Sequence, residues 1–268
     1  MPLLDFDWHV HTERSYCSEP PLSLDDLRRE AERKGLRGFA VTDHTAHLYF
    51  PENRAWRYEF IEDYSVFARV RDEGNPRLEK YLNDLRPLRG DGILAGIEVE
   101  AAVSGELIVD ERLAREFDVV IGAVHWLPGH KDAPREEFEA LFLRNTMDLL
   151  DRDIDILAHP TRIFRRGDRP IPTRLYEEIV RRAAERGVAI EINSHSQRDP
   201  DAAFARLCIR HGIRLAMSSD THNIRELGDF AHQRAIFDEI GIGDGDLDKH
   251  IFTRHDLLNN PRHRRLGK

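Results

Sequence analysis

Cysteine is scarce. Only Cys17 and Cys208 occur in 268 residues, too far apart for the disulfide framework of a small secreted fold, so a reducing, cytoplasmic setting is expected. No stretch approaches the roughly 20 apolar residues of a membrane span. The first residues, Met1-Pro2-Leu3-Leu4-Asp5-Phe6-Asp7, lack the basic region and apolar run of a secretory leader. Positive charge is also short. With 40 Lys and Arg against 49 Asp and Glu, the formal net charge is -9, which argues against broad attraction to nucleic acid or anionic lipid and leaves small anionic substrates open. Also lacking are a Gly/Ser linker, a low-complexity tract, a solenoid repeat and a Gly-x-Gly-x-x-Gly fingerprint after the first strand. Modular arrays and dinucleotide-binding sheets lose their main sequence support.

What is present is a repeated helix, glycine, strand grammar. Ser23-Leu24-Asp25-Asp26 resembles a capping box, and Leu24, Leu27 and Ala31 follow at helical spacing until Gly35, before the strand Gly38–Thr42. The pattern returns as Leu175, Ile179 and Ala183, then Gly187 and the strand Val188–Asn193. It returns again as a helix over Phe204–Arg210, Gly212 and the strand Ile213–Met217. A helix over 135–151 feeds a strand at 154–158, and Val119–Val124 is a buried-type strand without polar alternation. Such strands between helices predict a parallel sheet covered by helices. A barrel fits better than a doubly wound sheet, because the nucleotide fingerprint is missing. One domain over 1–268 is expected, with a charged and aromatic excursion, Thr45 to Gly92, long enough to lie over a barrel mouth. The basic tail, Asn259 to Lys268, reads as a fraying end.

The unusual polar residues fall at the carboxyl ends of these strands. His9 and His11 close the first and Asp43-His44 the second. Glu98, His125 and His159 follow, then Glu191 with Asn193 and His195, and finally Asp220 with His222. Side chains at i and i+2 share a strand face, so His9/His11 and Asp220/His222 can each present both groups together. In a parallel barrel, groups at these ends converge on the mouth. Several buried imidazoles and carboxylates would be costly to hold there without a compensating charge, and divalent cations supply one.

Taken in order, the stretches His9-Val10-His11-Thr12, Thr42-Asp43-His44, Gly96-Ile97-Glu98, His125, Ala158-His159-Pro160, Glu191-Ile192-Asn193 and Ser219-Asp220-Thr221-His222 resemble the PHP (polymerase and histidinol phosphatase) superfamily of metal-dependent phosphoesterases. The resemblance covers nearly the whole chain. It implies a distorted (β/α)7 TIM-like barrel with two or three divalent ions, zinc, manganese or iron, in its mouth. His9, His11, Glu98 and Asp220 would hold the first ion, and His44, His222 and the residue at Cys17 the second. Glu98 would bridge to a third ion held with His125 and His159. The family commonly has His or Asp where this chain has Cys17.

Clustered ions of this kind favour hydrolysis of a phosphate ester by a metal-bridging hydroxide. The expected activity is that of a phosphomonoesterase on a small phosphorylated metabolite, with Asp220, His222 and His195 in catalytic roles. A nuclease or phosphodiesterase and a non-catalytic metal-binding module are the alternatives. Arg162 and Arg166, in the stretch that follows His159, and Asn193 are the candidate phosphate contacts; the arginines could equally belong to a solvated loop. His195 could touch phosphate, protonate a departing alkoxide or serve as a structural residue. Glu100 shares a strand face with Glu98 and could be a ligand, but reads more simply as half of a surface ion pair. The run Tyr49, Arg54, Trp56, Arg57 and Tyr58 reads as a helix packed on the barrel or as a lid, and His211 and His250 as exposed residues near helix ends.

Overall fold

The apolar runs become seven short strands: β1 (Phe6–Val10), β2 (Gly38–Val41), β3 (Ile93–Val99), β4 (Val119–Gly122), β5 (Ile156–Leu157), β6 (Ala189–Asn193) and β7 (Leu215–Ser218). They are seen in a computed structural model that describes residues 4–195, 199–260 and 262–263. Neighbouring strands pair in parallel and in chain order, from β1 to β7. Thr221 N–H donates to His9 O and His11 N–H to Thr221 O, both at 3.3 Å, and these bonds bring the end of the sheet against its beginning. The result is the expected nearly closed, distorted (β/α)7 barrel. Its strands are buried on both faces, which is why they read as apolar runs without alternation.

Two apolar clusters divide the work. An outer one joins strand residues such as Ile97, Val120 and Ile190 to the covering helices through Leu27, Leu82, Phe142, Ile179 and Phe204. An inner one holds Trp8, Ala40, Leu94, Ile121, Ile156, Ala189 and Ala216. Stepping by two from the inner residues leads up into the mouth, from Leu94 through Gly96 to Glu98, from Ile121 to His125, from Ala189 to Glu191, and from Ala216 to Asp220. Glycine is required within this rise, since a Cβ on Gly96 would lie 2.7 Å from Thr42 Cγ2 and 2.9 Å from Val41 O.

The first strand breaks the alternation. Asp7 pairs with Phe39 and Val10 with Val41, so β1 carries one residue more than β2 over this interval. Trp8 lies in the inner cluster, and the extra residue lets His9 and His11 turn inward as well.

Local chemistry sets the helices largely as read. Ser23 caps the helix Leu24–Lys34 by accepting from Asp26 N–H, and Gly35 ends it at φ 72°. The helix Arg135–Asp151 matches its expected span, whereas the strand read at 154–158 pairs only at Ile156–Leu157. His211 caps the helix Ala202–Arg210 and approaches Glu177 to 2.8 Å.

The excursion is a series of short helices followed by a longer one, Arg71–Leu85. Most of it packs against the side of the barrel. Tyr49 is core, and Tyr81 donates to Gly96 O and accepts from Asp43 N–H, tying the excursion to the middle of β3 and to the end of β2. Trp56 and Tyr58 reach the mouth, and His47 packs its ring against His44 there. The tail departs from the fraying expectation. Positions 261 and 264–268 lie outside the described residues, but Arg262 is buried, pairs with Asp155 Oδ2 at 2.8 Å and donates to Ala114 O and Phe117 O.

Candidate metal centre

Glu98, at the top of β3, is the hub of the site. Its Oε1 lies 3.2 Å from His125 Nε2 and 3.2 Å from His159 Nε2. On the other side, Oε2 lies 2.7 Å from His44 Nδ1, 3.4 Å from His9 Nε2 and 3.7 Å from His11 Nε2. Asp220 forms a second focus, with Oδ1 3.0 Å from His11 Nε2 and 3.7 Å from His9 Nε2. The ligand atoms of His11, Cys17, His44 and His222 lie within 4.8 Å of one another, as do those of His9, His11 and Asp220, and those of His44, Glu98 and His125. All nine sequence-predicted ligand residues therefore meet at one end of the barrel. His159 and Asp220 hold positive φ values, 25° and 53°, a backbone strain of the kind that gathers at functional sites.

A ring of buried partners orients these groups, and sequence reasoning missed most of it. Glu191 Oε1 meets His9 Nδ1 at 2.8 Å, and its Oε2 accepts His159 N–H at 2.7 Å. Asp43 accepts from Thr12 N–H at 2.8 Å and from Ser15 Oγ at 2.6 Å, and Ser15 Oγ sits 3.2 Å from His11 Nδ1. Asp7 accepts from Ser219 N–H and Gly228 N–H, both at 2.9 Å, fixing the turn that carries Asp220. Glu100 corrects its sequence reading. It is buried, not a surface ion pair, and its Oε1 lies 3.1 Å from His125 Nδ1. The recoverable signal was its spacing, since Glu100 is two residues beyond Glu98.

Asn193 also differs from its expected role as a phosphate contact. It is fully buried beneath the mouth, donating to Glu191 Oε2 at 2.9 Å and Asp220 Oδ2 at 3.1 Å while accepting from Arg162 and from His195 N–H. Arg162 is not on a solvated loop. It opens a short helix, Arg162–Arg166, is buried, and donates to Asp220 Oδ2 at 2.6 Å and to Asn193 Oδ1, while its Nε has no partner among the described residues. Arg162 and Arg166 both line the depression above the cluster, together with Cys17, Trp56, Tyr58 and His195. His195 stacks on His222 at 4.1 Å and holds Glu226 Oε1 at 3.1 Å through Nδ1.

Electrostatics divide the ligand groups. Burial lowers His9 and His125, but Glu98 and neighbouring carboxylates outweigh it, holding His9 well above the ordinary imidazole value and His125 at about 9. These two must release a proton to a cation, whereas Glu98, Asp220, His159 and His222 already take the metal-binding form. Burial works to raise the Glu98 carboxyl, but His125, His9 and His44 hold it well below the usual carboxylate range. Asp220 is held low in the same way, against burial, by His9 and Arg162. Burial pushes His159 down to about 3, with Arg162 adding to the effect, and His222 down to about 4. Neutral imidazoles and ionised carboxylates are the forms that ligate metal. For Cys17, burial and then Asp220 push the thiol up, so its proton leaves readily only to a strong competitor such as a metal ion.

The residues fit such an ion on their own evidence. His9 Nε2 and Glu98 Oε2 are buried with no hydrogen bond from the described residues, and His44 Nδ1 approaches Glu98 Oε2 closely without the alignment of one. Buried polar atoms left facing one another are costly unless a charge occupies the space between them. The larger cavity at the opposite end of the barrel, about 730 Å³ beside Trp8, Met217 and Phe252, has no such convergence among the described residues.

A parallel barrel whose strand ends carry this ligand set is a metal-binding hydrolase of the phosphatase type. Residues 7–195 match the PHP domain model, and the chain belongs to the PHP family. A protein of Acetivibrio thermocellus named "Probable phosphatase" is 28% identical over 245 residues, covering 88% of this chain and 87% of that one. Among solved structures, the histidinol phosphate phosphatase of Lactococcus lactis, complexed with zinc, L-histidinol and phosphate, superposes with a TM-score of 0.60 at 18% identity, covering 89% of this chain and 94% of that one. A chain of archaeal ribonuclease P, solved with mature tRNA, gives 0.50 at 17% identity, covering 98% and 93%. At these identities the structural likenesses speak for the fold alone. Among the described residues no helix is long and apolar enough to cross a membrane.

Proposed function

We propose that this chain is a metal-dependent phosphomonoesterase acting on a small phosphorylated metabolite, with two or three divalent ions, zinc, manganese or iron, at the strand ends. The observation that carries the reading is the close approach of imidazole and carboxylate atoms that leaves His9 Nε2 and Glu98 Oε2 buried without a bond. His9, His11, Glu98 and Asp220 would hold one ion, His44, His222 and Cys17 a second, and Glu98 with His125 and His159 a third. When bound, such ions polarise a phosphoryl oxygen and make an attacking water acidic, which is the chemistry ester hydrolysis requires.

The chain's own side chains do the remaining work. Arg162, with its unbonded Nε, and Arg166 at the rim grip phosphate oxygens. Asn193 and Asp220 hold the Arg162 guanidinium in place. His195, oriented by Glu226 through Nδ1, leaves Nε2 to give a proton to the departing alkoxide. Trp56 and Tyr58 wall one side of the mouth, and the net charge of -9 disfavours a polyanion; both support a small substrate over a nucleic acid. The phosphatase relative and the neighbour holding zinc, L-histidinol and phosphate support the same class.

The test is metal analysis of the purified protein with a screen of phosphomonoesters, cyclic diesters and oligonucleotides. Phosphate release from monoesters, lost on chelation and restored by Zn²⁺, Mn²⁺ or Fe²⁺, is expected. Cleavage confined to diesters or oligonucleotides would transfer the site to a phosphodiesterase. Neither metal nor hydrolysis would leave a non-catalytic module.

A further inference from the structure

Tyr58 holds a backbone conformation that aromatic residues rarely adopt. Its φ of 55° and ψ of 19° lie in the left-handed region, where a bulky side chain crowds the following carbonyl. The sequence around it gives no local reason, because a glycine or an asparagine would begin the Glu59–Glu62 helix at less cost. What the conformation does achieve is to turn the ring into the mouth. The ring lies flat along Trp126, with centroids 5.8 Å apart and planes 3° from parallel, and meets Phe60 at 6.0 Å. It lines the depression beside Cys17, Arg162 and Arg166.

The hydroxyl is the telling atom. It belongs to a residue that lines the depression with Cys17, His44, His125, Arg166 and Asp220, above the ligand cluster. No hydrogen bond reaches it from the described residues. By contrast, the phenols of Tyr16, Tyr49, Tyr81 and Tyr176 each donate to a protein oxygen; Tyr64, the other phenol without such a bond among the described residues, lines a separate hollow beside Arg71 and Asp110. A strained residue that spends its strain on presenting an unbonded donor to a site is the pattern of a ligand contact. We infer that Tyr58 is a substrate-binding residue whose hydroxyl, with Arg166 beside it, donates a hydrogen bond to a non-bridging oxygen of the bound phosphate. Burial pushes the hydroxyl above its ordinary value, so it remains a donor throughout the neutral range.

This assignment rests on the phosphoesterase reading, and the experiment separates the two. Wild type and Tyr58→Phe, both reconstituted with zinc and assayed for metal content, are titrated with inorganic phosphate by calorimetry and compared in kcat/KM on a phosphomonoester. Phenylalanine keeps the ring against Trp126, so metal content and Tm should hold. Phosphate affinity and kcat/KM should fall on the order of ten- to a hundredfold, as for one hydrogen bond to a charged group. Tyr58→Asn, which suits left-handed backbone, should bind phosphate as weakly as Tyr58→Phe. Equal phosphate affinity in wild type and Tyr58→Phe, or recovery of it in Tyr58→Asn, overturns the assignment and leaves the phosphoesterase reading standing. A wild type that neither binds phosphate nor cleaves monoesters overturns both.

Discussion

At Glu98 one carboxylate stands within 3.4 Å of His9, His44, His125 and His159, so its charge is shared by several metal-binding groups at once. Glu98→Gln keeps the shape and removes the charge. It should lower metal content and reduce kcat/KM by more than the roughly 10- to 100-fold typical of a partner that only orients a ligand. Glu100→Gln, which touches the site through His125, should cost an amount in that lower range with the metal content less affected. Metal analysis, kinetics and circular dichroism on the two variants decide the ranking; equal losses would mean that Glu98 is not the hub. Cys17 poses a different question, because it brings sulfur into a set otherwise built from nitrogen. A thiolate favours zinc or iron over magnesium. Cys17→Ala should therefore lower the occupancy of one ion selectively, and cobalt-substituted wild type should show a thiolate-to-cobalt charge-transfer band that the variant lacks. A band of equal strength in both proteins would remove the sulfur from the ligand set.

Among elements, the strand ends were the most legible part of the chain, because two-residue spacing on a buried strand carries a ligand onto the same face as an inner apolar residue. The path from Ala189 to Glu191 and from Leu94 to Glu98 is visible in the sequence once the barrel is assumed. The extra residue of β1 was not legible. Plain alternation from the inner Trp8 would send His9 outward, and only the pairing with β2 shows otherwise. Asp43 was legible as a strand-end residue but not as the partner of Thr12 and Ser15. One orienting acid was also hidden, since Glu100 looks like any surface carboxylate until its burial is known. Arg262 was missed for the same reason: a run of basic residues near a chain end reads as solvated, yet this guanidinium closes the lower barrel against Asp155, which also accepts Val120 N–H at 2.9 Å. Arg262→Met would leave that buried carboxylate with His263 as its remaining partner for charge, so a loss of about 3 kcal/mol is expected. Denaturant midpoints measure it. A change under roughly 0.5 kcal/mol, the range of ordinary surface substitutions, would return Arg262 to the fraying tail.

For the whole molecule, the consequence of packing His9, His11, Glu98, Asp220 and Glu191 into one nearly inaccessible space is that the metal-free protein carries an electrostatic debt the apolar clusters must cover. The hydrogen-bonded partners reduce it, but the unbonded His9 Nε2, Glu98 Oε2 and His159 Nδ1 show that they do not remove it. Ions that bind the folded chain and not the unfolded one relieve the cost and add stability by mass action, about 2.7 kcal/mol at a hundredfold excess over Kd. In a chain of this size each kcal/mol moves Tm by roughly 2 to 4 °C, so zinc at that excess should raise Tm by roughly 5 to 11 °C over protein stripped with a chelator. The rise should grow with zinc concentration, as linkage requires, and should shrink in Glu98→Gln. It should be unaffected in Arg262→Met, whose defect lies at the other end of the barrel. Differential scanning calorimetry on stripped and reloaded protein reads all three. A Tm indifferent to chelation and to added metal would mean that the cluster is balanced by its own protons, and the metal centre would then have to be abandoned along with the hydrolytic chemistry built on it.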